Sequence, residues 1–231
     1  MTYAAFLLAL VLLPITALAA LPRRLPRGSG RVLALVAAAA LVYTTPWDNY
    51  LVASGIWTYG PDRVVGRIGY VPVEEYAFFV LQPFLVGLLF LRLLRVPSPT
   101  PMPPYWRPVL VGGWLAAAGA GAAMLAVGPD STRYAGLILA WAGPLLAGLS
   151  VLGARHVWQH RRAAAIALAG ASLYLWAIDR LAIGVGIWSI APRFSLGTVL
   201  GLPVEEALFF SVTSWLCIQA VAMLLPESES T

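Results

Sequence analysis

The chain has 231 residues, of which 60% are hydrophobic and 11% are charged, and its mean hydropathy is +0.81. This balance excludes an ordinary soluble domain and indicates a membrane protein. All 15 basic residues are arginines, and they separate apolar runs instead of forming one basic face, so the net charge of +5 does not predict nucleic acid as a partner. Cys217 is the single cysteine, which excludes a disulfide within the chain.

Seven segments are long and apolar enough, or nearly so, to cross a bilayer core of about 30 Å, which requires about 20 helical residues. In chain order they cover residues 3–21, 32–51, 72–94, 107–127, 133–152, 163–183 and 203–225. Pro46 interrupts the second and Pro83 the third, which membrane helices tolerate when neighbouring groups satisfy the freed carbonyl. The sequence therefore predicts an all-α membrane protein with seven transmembrane helices.

The first segment has an alternative interpretation, because residues 17–19 resemble the cleavage site of a secretory signal peptide. No positive charge precedes the segment, whereas four arginines follow it between residues 23 and 31, which favours a retained helix with its N-terminus outside. If the connections after helices 1, 3 and 5 face the cytoplasm, ten of the 15 arginines lie on that side. The predicted location is a bacterial plasma membrane, crossed several times, with a cytoplasmic C-terminus.

An internal repeat relates residues 47–79 to residues 178–210 without a gap, at a displacement of 131 residues. The shared residues are Asp48 and Asp179, Gly55-Ile56-Trp57 and Gly186-Ile187-Trp188, Pro61 and Pro192, Gly66 and Gly197, Pro72-Val73-Glu74-Glu75 and Pro203-Val204-Glu205-Glu206, and Phe78-Phe79 and Phe209-Phe210. Helix 2 therefore matches helix 6 and helix 3 matches helix 7, so both halves have the same orientation in the membrane. The predicted architecture is a parallel pseudo-two-fold repeat of three plus three helices with a linker helix, its axis along the membrane normal.

Three units follow from this repeat. Residues 1–95 form the first repeat with helices 1–3, residues 96–130 form a Pro-rich linker with helix 4, and residues 131–231 form the second repeat with helices 5–7. The stretch from Pro97 to Pro104 predicts a stiff, extended connection. The acidic tail over residues 226–231 is too polar to pack and is expected to fray.

Each repeat places two adjacent glutamates, Glu74-Glu75 and Glu205-Glu206, at the start of an apolar helix. A purely structural interpretation is available, because proline favours the first helical turn and acids there complement the helix dipole by about 0.3–1 kcal/mol each. A duplicated helix start would carry these residues along without any chemistry. Acidic residues inside a membrane are nevertheless costly and indicate a functional site.

Two further acids, Asp48 and Asp179, lie toward the outer ends of helices 2 and 6, at the level where helices 3 and 7 begin. A carboxyl group removed from water has a raised pKa, and two carboxyls that share a site can hold one proton between them at neutral pH. Such a group can act as a general acid. Aromatic faces can then stabilise a carbocation by roughly 2 kcal/mol per desolvated contact, and Trp57 and Trp188 are candidates for this role or, alternatively, interfacial-belt residues.

These features resemble the integral-membrane lycopene cyclases, which occur as two small subunits or as one fused chain. The resemblance rests on the paired Pro-Val-Glu-Glu motifs at 72–75 and 203–206, each followed by Phe-Phe, and on the upstream Asp and Gly-Ile-Trp. The repeat covers nearly the whole chain, and the length and helix number are similar to those of the fused form.

The resemblance implies a non-redox cycloisomerisation without a cofactor or metal, acting on lycopene as a lipophilic partner within membrane lipid. An acid protonates the terminal double bond, the neighbouring alkene attacks the cation, and a base removes a ring proton to leave a β-ionone ring, giving γ-carotene and then β-carotene. The implied acid or base candidates are Glu74 and Glu205, with Glu75 and Glu206 as partners or alternates and Asp48 and Asp179 in support. The implied substrate-binding and cation-stabilising residues are Trp57, Trp188, Phe78, Phe79, Phe209 and Phe210.

Competing functions are a carotenoid hydratase, in which water captures the same cation, and a small proton-coupled transporter. His156 and His160 are too few for a di-iron site, and they are expected in a solvated arginine-rich connection. No Gly-x-Gly-x-x-Gly motif supports a dinucleotide, and no aspartate-rich motif supports a Mg²⁺-dependent prenyltransferase. The sequence leaves open which glutamate is the acid, whether there are one or two sites, how many ends are cyclised, the ring type, the carotenoid length and the oligomeric state.

Overall fold

A computed structural model describes residues 1–95, 98 and 100–225. Within this part of the chain, seven helices are long and apolar enough to cross a membrane, which confirms the predicted number. They are α1 (Tyr3–Ala20), α2 (Ser29–Ala53), α3 (Val73–Leu93), α4 (Trp106–Val127), α5 (Arg133–Gln159), α6 (Arg161–Gly184) and α7 (Val204–Leu224).

The largest difference in helix bounds concerns α5, which continues past the predicted end at residue 152 to Gln159. His156 therefore lies inside a helix and is only partly exposed, and His160 is the single residue between α5 and α6. The expectation of a solvated loop was wrong for His156, because the arginines that ended the apolar pattern there belong to helical turns. Burial and the neighbouring His156 lower the pKa of His160 from its ordinary value.

The Pro-rich connection lies partly outside the described residues, which omit 96, 97 and 99, and the acidic tail over residues 226–231 lies wholly outside them. The Ser98 N–H donates to the carbonyl of Gln159 at 2.9 Å, and the Trp158 indole N–H donates to the carbonyl of Thr100 at 3.0 Å. These described parts of the connection therefore lie against the C-terminal end of α5.

Helix α1 contains one π-helical turn over Leu8–Leu12. Pro14 follows that turn and has no N–H to donate to the carbonyl of Leu10, four residues earlier. The Tyr174 hydroxyl of α6 donates to this carbonyl at 2.7 Å. The neighbouring helix thus supplies the hydrogen bond that the proline removes, as tolerance of proline in a membrane helix requires.

A buried arginine joins the other end of α1 to α3. The Arg92 guanidinium is 9% exposed and donates to the carbonyls of Leu18 at 2.8 Å and Ala19 at 2.7 Å. The last carbonyls of a helix have no partner within it, and a cation at the negative end of the helix dipole is favourable. Arg92 therefore caps α1 and fixes it against α3.

The all-α prediction omitted six short strands, which form three antiparallel pairs. They are β1 (Trp57–Tyr59) with β4 (Trp188–Ile190), β2 (Arg67–Ile68) with β3 (Val71–Pro72), and β5 (Thr198–Val199) with β6 (Leu202–Pro203). Strands of two or three residues are too short to show the alternating pattern by which a sequence reveals strands. Thr58 lies opposite Ser189 in the first pair, and their hydroxyls are 2.9 Å apart.

Two of these pairs are hairpins that directly precede the glutamate-bearing helices. The first hairpin ends at Pro72, where α3 begins, and the Val73 N–H donates to the carbonyl of Gly66 at 3.0 Å. The second ends at Pro203, and the Val204 N–H donates to the carbonyl of Gly197 at 3.1 Å. Each glutamate pair is thus held in the first turn of its helix.

Helices α3 and α7 pack against each other and against α6, with α2 beside α3 and α5 beside α7. The Gln82 side-chain amide donates to the Thr213 hydroxyl at 2.8 Å, which joins α3 to α7 inside the bundle. Helix α4 packs chiefly against α5, and a Cβ added at Gly121 would lie 2.7 Å from the carbonyl oxygen of Gly136. Small residues of this kind allow membrane helices to approach closely.

We expect Gly60→Ala to weaken the junction between β1 and β4. The Gly60 N–H donates to the carbonyl of Ile187 at 3.0 Å, and an added Cβ would lie 2.2 Å from the carbonyl oxygen of Gly186. Overpacking of this kind costs about 1–3 kcal/mol, so the thermal unfolding temperature in detergent should fall. Gly112→Ala in α4 is the control, since a Cβ there meets nothing within 4 Å. Equal unfolding temperatures for the two variants would contradict this account of the junction.

Candidate active site

All six acids predicted from the repeat are buried, and none is more than 6% exposed. They are Asp48, Glu74, Glu75, Asp179, Glu205 and Glu206. Within the described part of the chain, none of them forms an ion pair. The salt bridge found there, between Arg193 and Asp130, joins two exposed side chains. A buried carboxyl group without a cation depends on hydrogen-bond donors, so the donors define the chemistry of each acid.

The second glutamate of each pair is bound by tyrosine hydroxyls. Glu75 Oε2 accepts from the Tyr3 hydroxyl at 2.7 Å and from the Tyr59 hydroxyl at 3.1 Å. Glu206 Oε1 accepts from the Tyr134 hydroxyl at 2.8 Å, and its Oε2 is buried without a hydrogen-bond partner in the described structure. The two glutamates therefore differ in the number of phenol donors: Glu75 receives two on one oxygen, whereas Glu206 receives one.

The first glutamate of each pair binds the preceding loop. Glu74 Oε1 accepts from the backbone N–H of Val65 at 2.8 Å, and Glu205 Oε1 accepts from the backbone N–H of Leu196 at 2.5 Å. Glu205 Oε2 also accepts from the Ser195 hydroxyl at 2.8 Å. These two side chains hold the loops that lead into the hairpins.

Glu75, Asp179 and Glu206 line one cavity of about 10 Å³ between α1, α3, α6 and α7, which has room for about one water molecule. We call this cavity the acid pocket. Its other lining residues are Tyr3, Phe6, Trp57, Phe78, Leu175, Ile178, Trp188, Phe209 and Phe210. Asp179 Oδ1 accepts from the Trp188 indole N–H at 2.9 Å, and Asp179 Oδ2 has no partner in the described structure. Three carboxyl groups thus share one small, mostly apolar enclosure.

Aromatic rings surround the carboxyl groups of the acid pocket. The ring centroids of Tyr3 and Trp188 are 4.9 Å apart, those of Phe209 and Phe210 are 5.2 Å apart, and those of Trp57 and Phe209 are 6.2 Å apart. Trp57 is 4% and Trp188 7% exposed. Both indoles are therefore buried in the protein, unlike interfacial-belt residues that face the lipid headgroups.

Asp48 and Phe79, like Glu74 and Glu205, lie outside the lining of the acid pocket. Asp48 is buried on α2, and its Oδ2 has no partner in the described structure. Phe79 packs edge-on against Tyr76, with centroids 5.9 Å apart, and lines a separate apolar groove. The structure thus brings together eight of the twelve predicted side chains and separates Asp48, Glu74, Phe79 and Glu205 from them.

Sequence reasoning missed the three tyrosines that bind the second glutamates, Tyr3, Tyr59 and Tyr134. A signal was present for two of them, because Tyr3-Ala4 and Tyr134-Ala135 are related by the same displacement of 131 residues that relates the glutamate pairs. Extending the repeat upstream into helices 1 and 5 would have found them. Tyr59 gives no such signal, since its counterpart at that displacement is Ile190.

A family model described as lycopene cyclase matches residues 1–93. The lycopene β-cyclases of two strains of Halobacterium salinarum are each 46% identical to the chain over 191 residues, which cover 81% of this chain and 77% of the relative. The chain belongs to the lycopene cyclase family. The resemblance drawn from the paired motifs is thereby confirmed.

A fungal relative of this lycopene cyclase is a longer protein. The bifunctional lycopene cyclase/phytoene synthase of Gibberella fujikuroi is 36% identical over 198 residues, which cover 78% of this chain and 32% of the relative. No solved structure was found to match. Within the described residues of this cyclase, no group of three or more His, Cys, Asp or Glu side chains is arranged to hold a metal ion.

The buried Tyr59 phenol should make the folding stability of this cyclase fall at alkaline pH. Burial and the nearby carboxyls of Glu75 and Asp48 raise the pKa of Tyr59 well above its ordinary value of 10.0. The stability that this phenol contributes is fully present below the unfolded-state pKa and is lost as pH rises beyond it, because the unfolded chain then releases a proton that the folded chain keeps.

We expect Tyr59→Phe to reduce that alkaline loss of stability by up to about 1.4 kcal/mol for each pH unit above about 10. Thermal unfolding in detergent, compared between about pH 9 and about pH 11, measures the effect. The same loss in wild type and variant would contradict the burial of an un-ionised phenol beside Glu75.

Proposed function

We propose that this lycopene cyclase is a β-cyclase that isomerises the linear ends of lycopene, giving γ-carotene and then β-carotene. The observation that carries the proposal is the acid pocket, in which two glutamates with different hydrogen bonding share one aromatic enclosure. The reaction neither oxidises nor reduces the substrate, since one proton is added and one is removed for each ring. Two carboxyl groups in opposite protonation states are the catalytic groups that such a reaction needs.

Glu206 is the general acid in this proposal. Its Oε1 accepts one phenol hydrogen bond, which leaves the unpartnered Oε2 as the position for a proton. Burial without a cation disfavours the charged form, so a protonated Glu206 needs no further partner. The Oε2 proton passes to the terminal double bond of the substrate and leaves a carbocation on the neighbouring carbon.

Aromatic rings and Glu75 stabilise the cation. Phe209, Phe210 and Trp57 present ring surfaces in the acid pocket, and a desolvated cation gains roughly 2 kcal/mol from each such contact. An ionised Glu75 supplies the opposite charge at short range. The small enclosure excludes bulk water, so the neighbouring alkene, and not a water molecule, captures the cation and closes the ring.

Glu75 is the general base. Hydrogen bonds from Tyr3 and Tyr59 converge on its Oε2 and stabilise the ionised form. This carboxylate removes a proton from the ring and leaves a double bond within it. Asp179, which lines the same pocket and has a free Oδ2, returns the proton to Glu206 for the next cycle.

Glu74 and Glu205 are positioning residues in this proposal, although the motif made them the leading acid or base candidates. Each accepts a hydrogen bond from a loop N–H, at Val65 and Leu196, and so fixes the turn from which the next glutamate enters the pocket. Asp48 lies nearby as a supporting acid on α2.

We also propose the repeat architecture predicted from the sequence, with units at residues 1–95, 96–130 and 131–231. Several contacts support it, because residues 131 positions apart occupy equivalent places: Tyr3 and Tyr134 each bind a second glutamate, and Val65 and Leu196 each bind a first one. Pairs at this displacement also meet each other, as in the contact of Gln82 with Thr213. Such self-matching contacts are expected on a pseudo-two-fold axis.

The proposed setting is a bacterial plasma membrane, with lipid around the helices, the N-terminus outside and the C-terminus cytoplasmic. The excess of arginines on the connections after α1 and α3 and in the helical turns near the α3–α4 and α5–α6 junctions supports this orientation. The substrate is a lipid-soluble hydrocarbon and reaches the acid pocket from within the bilayer.

Four matched variants test the assignment of roles. We expect Glu206→Gln and Glu75→Gln to lower the cyclic carotenoid made in lycopene-producing cells by about 10²–10⁴-fold, the usual contribution of a general acid or base. Glu74→Gln and Glu205→Gln keep an oxygen that accepts the loop N–H. The cyclic carotenoid made by these two variants should therefore fall by less than about tenfold. Chromatography with mass detection, at equal amounts of membrane protein, measures the products.

The same products distinguish the competing functions. A cyclic isomer of unchanged mass supports the cyclase, a gain of one water per end would indicate a hydratase, and unchanged lycopene would favour transport or another substrate. Loss of activity in Glu74→Gln and Glu205→Gln with activity retained in Glu75→Gln and Glu206→Gln would move the acid and base to the first glutamate of each pair.

A further inference from the structure

Two apolar grooves lie on opposite sides of the central helices. The first has a volume of about 260 Å³, and we call it the aromatic groove; its lining includes Ala40, Tyr43, Phe79, Trp141, Phe209 and Leu216. The second has a volume of about 390 Å³, and we call it the aliphatic groove; its lining includes Pro14, Leu18, Leu85, Leu89, Ala171 and Tyr174.

The grooves are built from equivalent positions. Ala40 and Ala171 are 131 residues apart, as are Tyr43 and Tyr174, and Leu85 and Leu216. The two tyrosines also make equivalent hydrogen bonds: the Tyr43 hydroxyl donates to the carbonyl of Trp141 at 2.8 Å, and the Tyr174 hydroxyl donates to that of Leu10 at 2.7 Å. Each groove thus offers a natural control for the other.

The aromatic groove differs from the aliphatic groove because a column of rings connects it to the acid pocket. Tyr43 stacks on Trp141 with centroids 5.2 Å apart, Trp141 on Trp47 at 4.6 Å, and Trp47 on Phe209 at 5.7 Å. Phe209 lines both the groove and the acid pocket.

The aliphatic groove has no equivalent column. The positions that match Trp141 and Trp47 hold Leu10 and Ile178. Among the described residues, none of those that line the aliphatic groove also lines the acid pocket. A molecule in the aliphatic groove is therefore not in continuous contact with the carboxyl groups.

We propose that the aromatic groove binds the conjugated chain of the linear carotenoid and that the Phe209 side chain moves aside to admit the reacting end, because the acid pocket of this structure has room for about one water molecule. This inference rests on the proposed function. A flat conjugated chain gains more contact than a saturated acyl chain from the rings of Tyr43, Trp141 and Phe209 that line this groove. The second end of the substrate uses the same groove after release and reversal, because the aliphatic groove lacks both the rings and the junction.

Filling each groove at a matched position tests the assignment. We expect Ala40→Phe to lower the cyclic carotenoid made in lycopene-producing cells by about tenfold or more, since an overpacked site excludes its ligand. Ala171→Phe places the same ring in the aliphatic groove and should stay within about twofold of wild type at equal folded protein. Leu216→Phe and Leu85→Phe form a second matched pair, in case one alanine variant fails to fold.

A binding measurement separates this proposal from the proposed function. Glu206→Gln protein, purified in detergent from lycopene-producing cells, should retain bound lycopene; adding Ala40→Phe should remove it, whereas adding Ala171→Phe should not. Equal retention in both double variants, or loss only with Ala171→Phe, would overturn the groove assignment, the former indicating adventitious binding at lipid-facing surfaces. If the wild type leaves lycopene unchanged while these retention results hold, the groove assignment stands and the cyclase function fails.

Discussion

The structure depends on the burial of six carboxyl groups that have no cation as partner in the described chain. Such groups are too costly to leave without donors, so the surrounding backbone and side chains must supply neutral ones. Five of the six receive such a donor: loop N–H groups bind Glu74 and Glu205, tyrosine hydroxyls bind Glu75 and Glu206, and an indole N–H binds Asp179. The hairpins and the capped end of α1 hold these donors in place.

The proposed chemistry uses the points at which the two matching halves differ. Tyr59 gives Glu75 a second phenol donor, whereas Ile190 at the matching position gives Glu206 none. Trp47 and Trp141 likewise build a ring column on one side of the acid pocket, and Ile178 and Leu10 do not build one on the other. In the proposed repeat architecture, a few unmatched residues can thus place an acid opposite a base and give the substrate one preferred approach.

The sequence predicted the seven helices and the family, because long apolar runs and the repeated Pro-Val-Glu-Glu motif are strong local signals. It also selected most of the side chains around the acid pocket. It did not separate Glu74 from Glu75, because adjacent residues at a helix start differ in direction by about 100°, and the entry angle of the helix decides which one faces inward. That angle is set by hairpins too short to be read from a pattern, and Tyr59 reaches Glu75 from one of the short strands.

In the proposed resting enzyme, Glu206 carries a proton while Glu75 is ionised. Infrared difference spectra of the purified protein test it most directly, because the carbonyl stretch of a protonated carboxyl group is separate from the bands of a carboxylate. Against wild type, Glu206→Gln should remove a protonated-carboxyl band, and Glu75→Gln should remove carboxylate bands. The reverse assignment, or loss of a protonated-carboxyl band in both variants, would contradict the division of roles.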